Sequence, residues 1–323
     1  MDENLKPVVL ISKCLEHAPC RWNGLLINSP IVRSLKAHVQ FIAVCPELEI
    51  GLGAPRRPLH IVKKNNEHRL VQSETEKDLT EAMIRFTDAF LSKLPPIDGI
   101  ILKERSPSCG LKNVKVFPSG WKAAPVSTTG HGFFGRAVAE RFPYKALETV
   151  SRLNNFRLRE HFLTTLFTMS GFRKLSHTTD IKKLIEFHTT HKYLLMAYNQ
   201  KQLKIMGAIA ANHKKKPLKQ MLVEYQEELF KTFSSLPSFK NHINVLLHAF
   251  AYFSHQLSTR EKALFLDTLE SYRSNKLPLS ACTTLLSSWI VRFHNLYLRS
   301  QTYFAPYPRD FVEMTDSGKG RDR

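Results

Sequence analysis

Three short β-branched runs, each leading into a cysteine, constrain the fold more than any other feature of the chain. Pro7-Val-Val-Leu-Ile-Ser runs toward Cys14, Val39-Gln-Phe-Ile-Ala-Val is followed directly by Cys45, and Ile97-Asp-Gly-Ile-Ile-Leu-Lys enters a Ser106-Pro-Ser-Cys109-Gly110 loop. Helix-compatible segments separate them, at Asn28–Ala37 and, clearly amphipathic, at Thr75–Lys93. Strand and helix in alternation predict an α/β domain, a parallel sheet flanked by helices. Ligand crevices in such sheets lie outside the carboxyl ends of the strands. Three thiols, each just past a strand end, are therefore expected to converge.

Several chemistries suit three converging thiols. The chain has five cysteines, an odd number, and its first residues show no basic region leading into an apolar stretch. That argues against a secretory signal and a disulfide framework, and for metal or reactive thiols. Paired C-x2-C spacing, the usual mark of structural zinc, is absent. A catalytic zinc on three cysteines remains open, with His17 or His131 able to close the site. Three thiolates also suffice for a [4Fe–4S] cluster that leaves one iron without a protein ligand, free to take a soft atom such as sulfur. Three small buried thiols are the plain structural alternative. Cys20 and Cys282 read as ordinary residues, Cys282 in the apolar helix Leu279–Val291.

At these residues the chain resembles a known family. Ile11-Ser-Lys-Cys14-Leu, Val44-Cys45-Pro46-Glu47-Leu-Glu-Ile-Gly-Leu-Gly-Ala-Pro-Arg and Leu102-Lys-Glu-Arg-Ser106-Pro-Ser-Cys109-Gly resemble the thiouracil desulfurase (TudS) domain across roughly residues 6–165. The second half resembles the YbgA-like domain through Glu186-Phe-His-Thr-Thr-His191-Lys-Tyr-Leu-Leu-Met-Ala, Asn241-His-Ile-Asn-Val-Leu-Leu-His248, Lys276-Leu-Pro-Leu and Tyr303-Phe-Ala-Pro-Tyr-Pro308. Together the halves are similar to the RudS proteins, which desulfurate 4-thiouridine in tRNA.

The resemblance implies a [4Fe–4S] cluster on Cys14, Cys45 and Cys109. It also implies that the unique iron takes the thiocarbonyl sulfur, that sulfide leaves without net redox change, and that Glu47 and Ser106 are acid/base groups. Each has a structural alternative: an ion pair with Arg56 or Arg57 for Glu47, and a loop-shaping backbone bond for Ser106. Ser108 is as well placed by spacing. Where the family has Arg-Tyr-Asp-Gly, this chain reads Arg21-Trp-Asn-Gly24, so Asn23 brings no carboxylate. Trp22 suits stacking on a nucleobase or packing.

Charge points to the partner. Lys and Arg number 47 against 28 Asp and Glu, a formal net charge of +19. Between residues 151 and 219 there are 14 Lys and Arg against 3 Asp and Glu. A chain this basic suits a polyanion, because each neutralised phosphate releases condensed counterions. Arg152, Arg157, Arg159, Lys182, Lys183, Lys192, Lys214, Lys215 and Lys216 are the candidate RNA contacts, with tRNA the expected partner. From Ile181 onward the periodicity is helical, over Ile181–Tyr198, Leu203–Asn212, Leu218–Phe233, Lys240–Gln256, Thr259–Asn275 and Leu279–Leu298, predicting an all-α domain. His188 and His191 stand at i and i+3, a weak metal spacing that better fits capping, packing or phosphate contact, and the same holds for His242 and His248.

The expected domains are residues 1–172, desulfidase-like; 173–310, helical, basic and RNA-binding; and a disordered tail at 311–323. No apolar run approaches the ~20 residues of a membrane span. The expectation is a soluble cytoplasmic enzyme with no obligatory protein partner, desulfurating 4-thiouridine in tRNA. Competing readings are a desulfidase for free thiouracil or another thiolated base, and a nucleic-acid-binding protein with a structural metal site.

Overall fold

A computed structural model describes residues 6–118, 124–176, 178–308 and 311. The chain divides into two compact units, residues 1–170 with 310–323, and residues 171–309.

The first unit is built on a parallel sheet. Strands β1 (Val8–Ser12), β2 (Gln40–Val44), β5 (Gly99–Leu102) and β8 (Ala146–Thr149) lie in the order β2-β1-β5-β8, every neighbouring pair parallel. β5 is buried along its whole length, as a strand covered on both faces should be. Gly99 is needed there, since a Cβ would stand 2.7 Å from the Leu166 side chain. Leu166 belongs to α5 (Phe156–Arg173), which presses on the sheet. The other helices of this unit are α1 (Pro30–Leu35), the single turn α2 (Pro46–Glu49), α3 (Thr80–Lys93) and α4 (Phe133–Arg141).

A second sheet accompanies the first, and the strand–helix alternation does not announce it. It runs β4 (Glu67–Gln72), β3 (Leu59–Lys64), β6 (Val114–Phe117), β7 (Ser127–Gly130) in spatial order, with β3 and β6 parallel and both outer pairings antiparallel. Its hairpin turns on Asn65 and Asn66, both at positive φ (49° and 65°), the conformation tight hairpins favour. Leu59, Ile61, Leu70, Val114 and Val116 share one core with Leu10, Val44, Ile100, Met83 and Phe134. The sheet thus borrows the parallel sheet's core.

The second unit is helical, with no strand among its described residues. After the end of α5 come α6 (Ile181–Tyr198), α7 (Gln200–Ala211), α8 (Leu218–Thr232), α9 (Phe239–Ala251), α10 (Thr259–Arg273), α11 (Leu279–Arg292) and α12 (Leu296–Arg299). The caps follow from the sequence: Asp180 opens α6, Asn199 opens α7, and Ser258 with Glu261 forms a capping box on α10. The chain therefore has a mixed α/β N-terminal part followed by an all-α part. No helix of the described residues is long and apolar enough to cross a membrane. The tail expected at 311–323 lies outside the described residues except for Phe311. That ring is 2% exposed and packs on His38 and Phe167, with centroids 4.7 and 5.9 Å away.

Candidate active site

β2, β1 and β5 are neighbours, so their carboxyl ends deliver three chain segments to one place. Cys14 lies two residues past β1, Cys45 is the N-cap of α2 immediately after β2, and Cys109 lies in the loop after β5. All three line one cavity of about 880 Å³, together with Cys20, Glu47 and Ser106.

The Cys109 loop is held by backbone. Ser106 Oγ accepts the amides of Ser108 and Cys109 at 3.2 and 3.1 Å, and Gly110 N–H donates to the Ser106 carbonyl at 2.9 Å. The start of α4 clamps it from outside: Gly132 N–H donates to Gly110 O at 2.7 Å and Gly135 N–H to Ser108 O at 2.9 Å. A Cβ on Gly132 or Gly135 would stand 2.5 Å from the carbonyl oxygens of Ser108 and Cys109, respectively. Only glycine permits that approach.

Glu47 is buried, 8% exposed, and both its oxygens are engaged. Arg56 donates through Nε and Nη2 to Oε2 at 2.8 and 2.6 Å, while Ser108 Oγ donates to Oε1 at 2.8 Å. Arg56 Nη1 also donates to the carbonyls of Cys20 and Gly53, each at 2.9 Å. One guanidinium thus ties the carboxylate to the loop that carries Cys20. The two serines divide the work: Ser106 lines the cavity and braces the loop, whereas Ser108 is fully buried and touches Glu47. Asn23 shapes a turn, its Oδ1 accepting Leu25 N–H at 3.3 Å beside Gly24 at φ +71°.

Cys20, read from the sequence as ordinary, belongs to this group. Its thiol is hydrogen-bonded with those of Cys14 and Cys45. The Cys14 bond, ahead of burial, pushes Cys20 up to about 11. Cys45 is driven well up, first by Cys20 and then by burial. Burial pushes Cys109 up to about 12, against a hydrogen bond to Ser12. A metal held by these thiols would take them as thiolates, so its loading would release protons and be favoured as pH rises. The signal in the sequence is the spacing, since Cys20 follows Cys14 within the same strand-end loop.

The donors that the three strand ends bring to the cavity are thiols, the side chain that holds iron–sulfur clusters. Among the described residues, no three His, Cys, Asp or Glu side chains are grouped so as to hold one metal ion. A lone zinc needs every sulfur at about 2.3 Å from one centre. Neither His17 nor His131 lines the cavity, and each bonds through Nδ1 to a main-chain carbonyl, of Leu15 and Leu111 respectively.

The predicted RNA contacts are not one group. Arg152 pairs with Glu148 at 2.7 Å, Arg157 is exposed, and Arg159 is buried with Nη1 donating to Leu153 O at 3.0 Å. In the helical unit Lys182, Lys183, Lys192, Lys214 and Lys215 are exposed, while Lys216 is half-buried and bonded to both oxygens of Glu224. Asn212 stiffens the turn carrying those last lysines, exchanging hydrogen bonds with the Lys216 backbone at 3.1 and 2.8 Å.

Comparison with known proteins agrees with this division. Residues 9–149 match the family described as 2-thiouracil desulfurase, and residues 192–308 match a family described as a protein of unknown function, DUF1722. The chain is 30% identical over 139 residues to the uncharacterized protein YbbK of Bacillus subtilis (strain 168), covering 38% of this chain and 92% of that protein. It is 23% identical over 168 residues to the uncharacterized protein YbgA of Escherichia coli (strain K12), covering 51% of this chain and 99% of that protein. A solved structure of a [4Fe-4S]-dependent thiouracil desulfidase, TudS, is 28% identical with a TM-score of 0.38, covering 46% of this chain and 93% of that one. With a cavity of cysteines and a buried carboxylate inside the matched segment, the chain belongs to the 2-thiouracil desulfurase family, an enzyme family of desulfidase type, and carries a YbgA-like helical region on the same polypeptide.

Proposed function

We propose that this chain hydrolyses the thiocarbonyl of a thiolated pyrimidine to a carbonyl, with release of sulfide, at the carboxyl ends of β1, β2 and β5. The observation that carries the reading is a buried carboxylate, Glu47, on the wall of a cavity that is also lined by Cys14, Cys45 and Cys109. Those three cysteines would hold the [4Fe–4S] cluster. When bound, the cluster supplies a Lewis-acidic iron that draws charge from the thiocarbonyl sulfur and eases its departure.

The remaining work falls to this chain's own groups. A carboxylate has about four lone-pair sites, and Arg56 and Ser108 occupy three of those on Glu47. The one left takes a proton from the water that attacks the ring carbon. That proton returns to the departing sulfur, and the hydroxyl left on the ring carbon gives up the second as the carbonyl forms, so water supplies the oxygen and both hydrogens of the hydrogen sulfide that leaves without change of oxidation state. Arg56 and Ser108 fix the carboxylate, and Ser106 keeps Cys109 in place.

The family match favours a thiouracil-type base as substrate. A second reading, 4-thiouridine within tRNA, is favoured by the exposed lysines of α6, α7 and the turn after α7. Five free cysteines suit a reducing, cytoplasmic compartment. The test is anaerobic incubation of iron-reconstituted full chain with 2-thiouracil, 4-thiouracil and 4-thiouridine-bearing tRNA, followed by product analysis. Sulfide release that vanishes in Cys109→Ala supports the reading, and the preferred substrate decides between base and tRNA. No conversion of any of them by protein with its iron intact would sink it.

A further inference from the structure

The cysteines at the strand ends differ in exposure. Cys14 is half-buried, whereas Cys20, Cys45 and Cys109 are buried, at 2%, 9% and 7% exposure. Cys14 therefore offers its sulfur to whatever enters the cavity it lines. The thiol beside it is that of Cys20, to which it is hydrogen-bonded. The main chain fixes that contact. Leu15 N–H donates to Ser12 O at 2.9 Å, Ala18 N–H to Lys13 O at 2.9 Å, and Cys20 N–H to Ala18 O at 2.8 Å. At its two ends, Cys14 O accepts Ile27 N–H at 2.8 Å and Cys20 O accepts Arg56 Nη1 at 2.9 Å. The loop from Cys14 to Cys20 is thus knit along its length with its two thiols in contact. Thiocarbonyl hydrolysis as described above gives Cys20 no task.

An accessible thiol with a second thiol against it is the arrangement of a redox-reactive pair, in which one sulfur is oxidised and the other resolves it. We infer that Cys14 and Cys20 form such a pair, a modification site for a hydroperoxide that closes the strand-end cavity to metal until a thiol reductant reopens it. The Cys14 sulfur attacks one peroxide oxygen, the O–O bond breaks, and the products are a sulfenic acid and water. The Cys20 sulfur then attacks the sulfenic sulfur. The S–S bond forms, and the hydroxyl leaves with the Cys20 proton as a second water. Two thiols have given up two electrons, and one peroxide has become two waters. A dithiol reverses the step by exchange. Metal ligation requires Cys14 as a thiolate, which a disulfide does not supply. Without Cys20 the sulfenic acid goes on to a sulfinic acid, which thiols do not reduce. The pair goes beyond the desulfidase reading and is independent of what the cavity turns over; only its effect on metal loading rests on Cys14 being a donor.

The test treats the full chain, prepared free of metal, with hydrogen peroxide at just above equimolar and counts free thiols. They should fall from five to three per chain and return to five in dithiothreitol. The tryptic peptide from Cys14 to Arg21 holds both cysteines, and it should lose two hydrogens in mass. Iron taken up on reconstitution should collapse in the oxidised chain and recover with the thiols. In Cys20→Ser, whose thermal midpoint checks folding, Cys14 should end as a sulfinic acid that dithiothreitol does not restore. Cys20→Ala replaces that variant if the midpoint drops. Five thiols after treatment overturns the pair, as does a disulfide between any other two cysteines or between chains, or full recovery in the variant. The Cys14–Cys20 disulfide with undiminished iron uptake overturns the closing of the site and removes Cys14 from the donors. The same disulfide in a chain that releases no sulfide from any thiopyrimidine supports the pair and sinks the desulfidase reading.

Discussion

The two units treat their reactive side chains in opposite ways. In the first, thiols, a carboxylate and cations gather at strand ends around one cavity. In the second, His188, His191 and His242 are half-buried in packing, while His213, His248, His255 and His294 stay exposed. His188 Nδ1 hydrogen-bonds Tyr225 OH at 3.1 Å, His242 Nδ1 bonds Tyr303 OH at 3.0 Å, and His191 bonds Phe187 O at 2.9 Å while stacking on that ring at 3.9 Å. Residue chemistry alone ranks histidine above cysteine as a functional signal at neutral pH. Topology reverses the ranking here. A parallel sheet collects whatever follows its strands, whereas helix spacing puts two rings on one face without saying whether that face looks outward.

The contrast breaks most readily at Glu47. Glu47→Gln keeps the shape and should lower turnover by about 10²–10⁴ with iron content unchanged, read by sulfide release against iron per chain. An unaltered rate would leave Glu47 with a purely structural role. Arg56→Met separates the two roles, because it strands a buried carboxylate and should cost about 3–5 kcal/mol in urea unfolding. A cost near zero would mean that Glu47 reaches water.

The buried histidines give a smaller effect with a defined sign. Burial holds His191 down at about 4 against an ordinary 6.5. As pH falls the unfolded chain takes up the proton first, so the contribution is whole above about 6.5 and drains away toward about 4, by up to about 3 kcal/mol. His191→Phe, which keeps the stack on Phe187, should flatten that slope in denaturant titrations at pH 7.5 and 5. A slope as steep as in the parent assigns the acid sensitivity elsewhere, first to His161, which burial also holds at about 4. The smallest effect belongs to the exposed lysines. Lys214→Ala/Lys215→Ala should weaken tRNA binding modestly and make its log–log salt dependence shallower by about one per lysine. An unchanged slope would place the polyanion contact outside this turn.

Much of this was legible in the sequence where local pattern and topology agree. The β-branched runs at Val8, Gln40 and Gly99 became adjacent parallel strands, and α6 spans the predicted Ile181–Tyr198. Other features carry no periodic signal. α5 buries Leu158, Phe162, Leu163, Leu166 and Met169 along with Thr164, Thr165, Thr168 and Ser170. A helix covered on most sides has no polar stripe to betray it. The second sheet was hidden because its strands pair across long loops, although Asn65-Asn66 between β3 and β4 is a hairpin turn in residue type. For Cys20 the sequence carries only its spacing from Cys14, and which way that loop turns back is a property of the fold. Ser106 and Ser108 differ only in which side of the loop each faces, and spacing cannot resolve that.

Phe311 carries a consequence for how the protein is made. Its ring covers His38 and Phe167, so the helical unit is, in sequence, an insertion between two parts of one hydrophobic core. At about 5–20 residues per second, the ribosome takes on the order of ten seconds to travel from Phe167 to Phe311. For that interval the nascent desulfurase half waits with an uncovered seam while the helices emerge and fold. A chain cut near residue 170 would keep that seam for life.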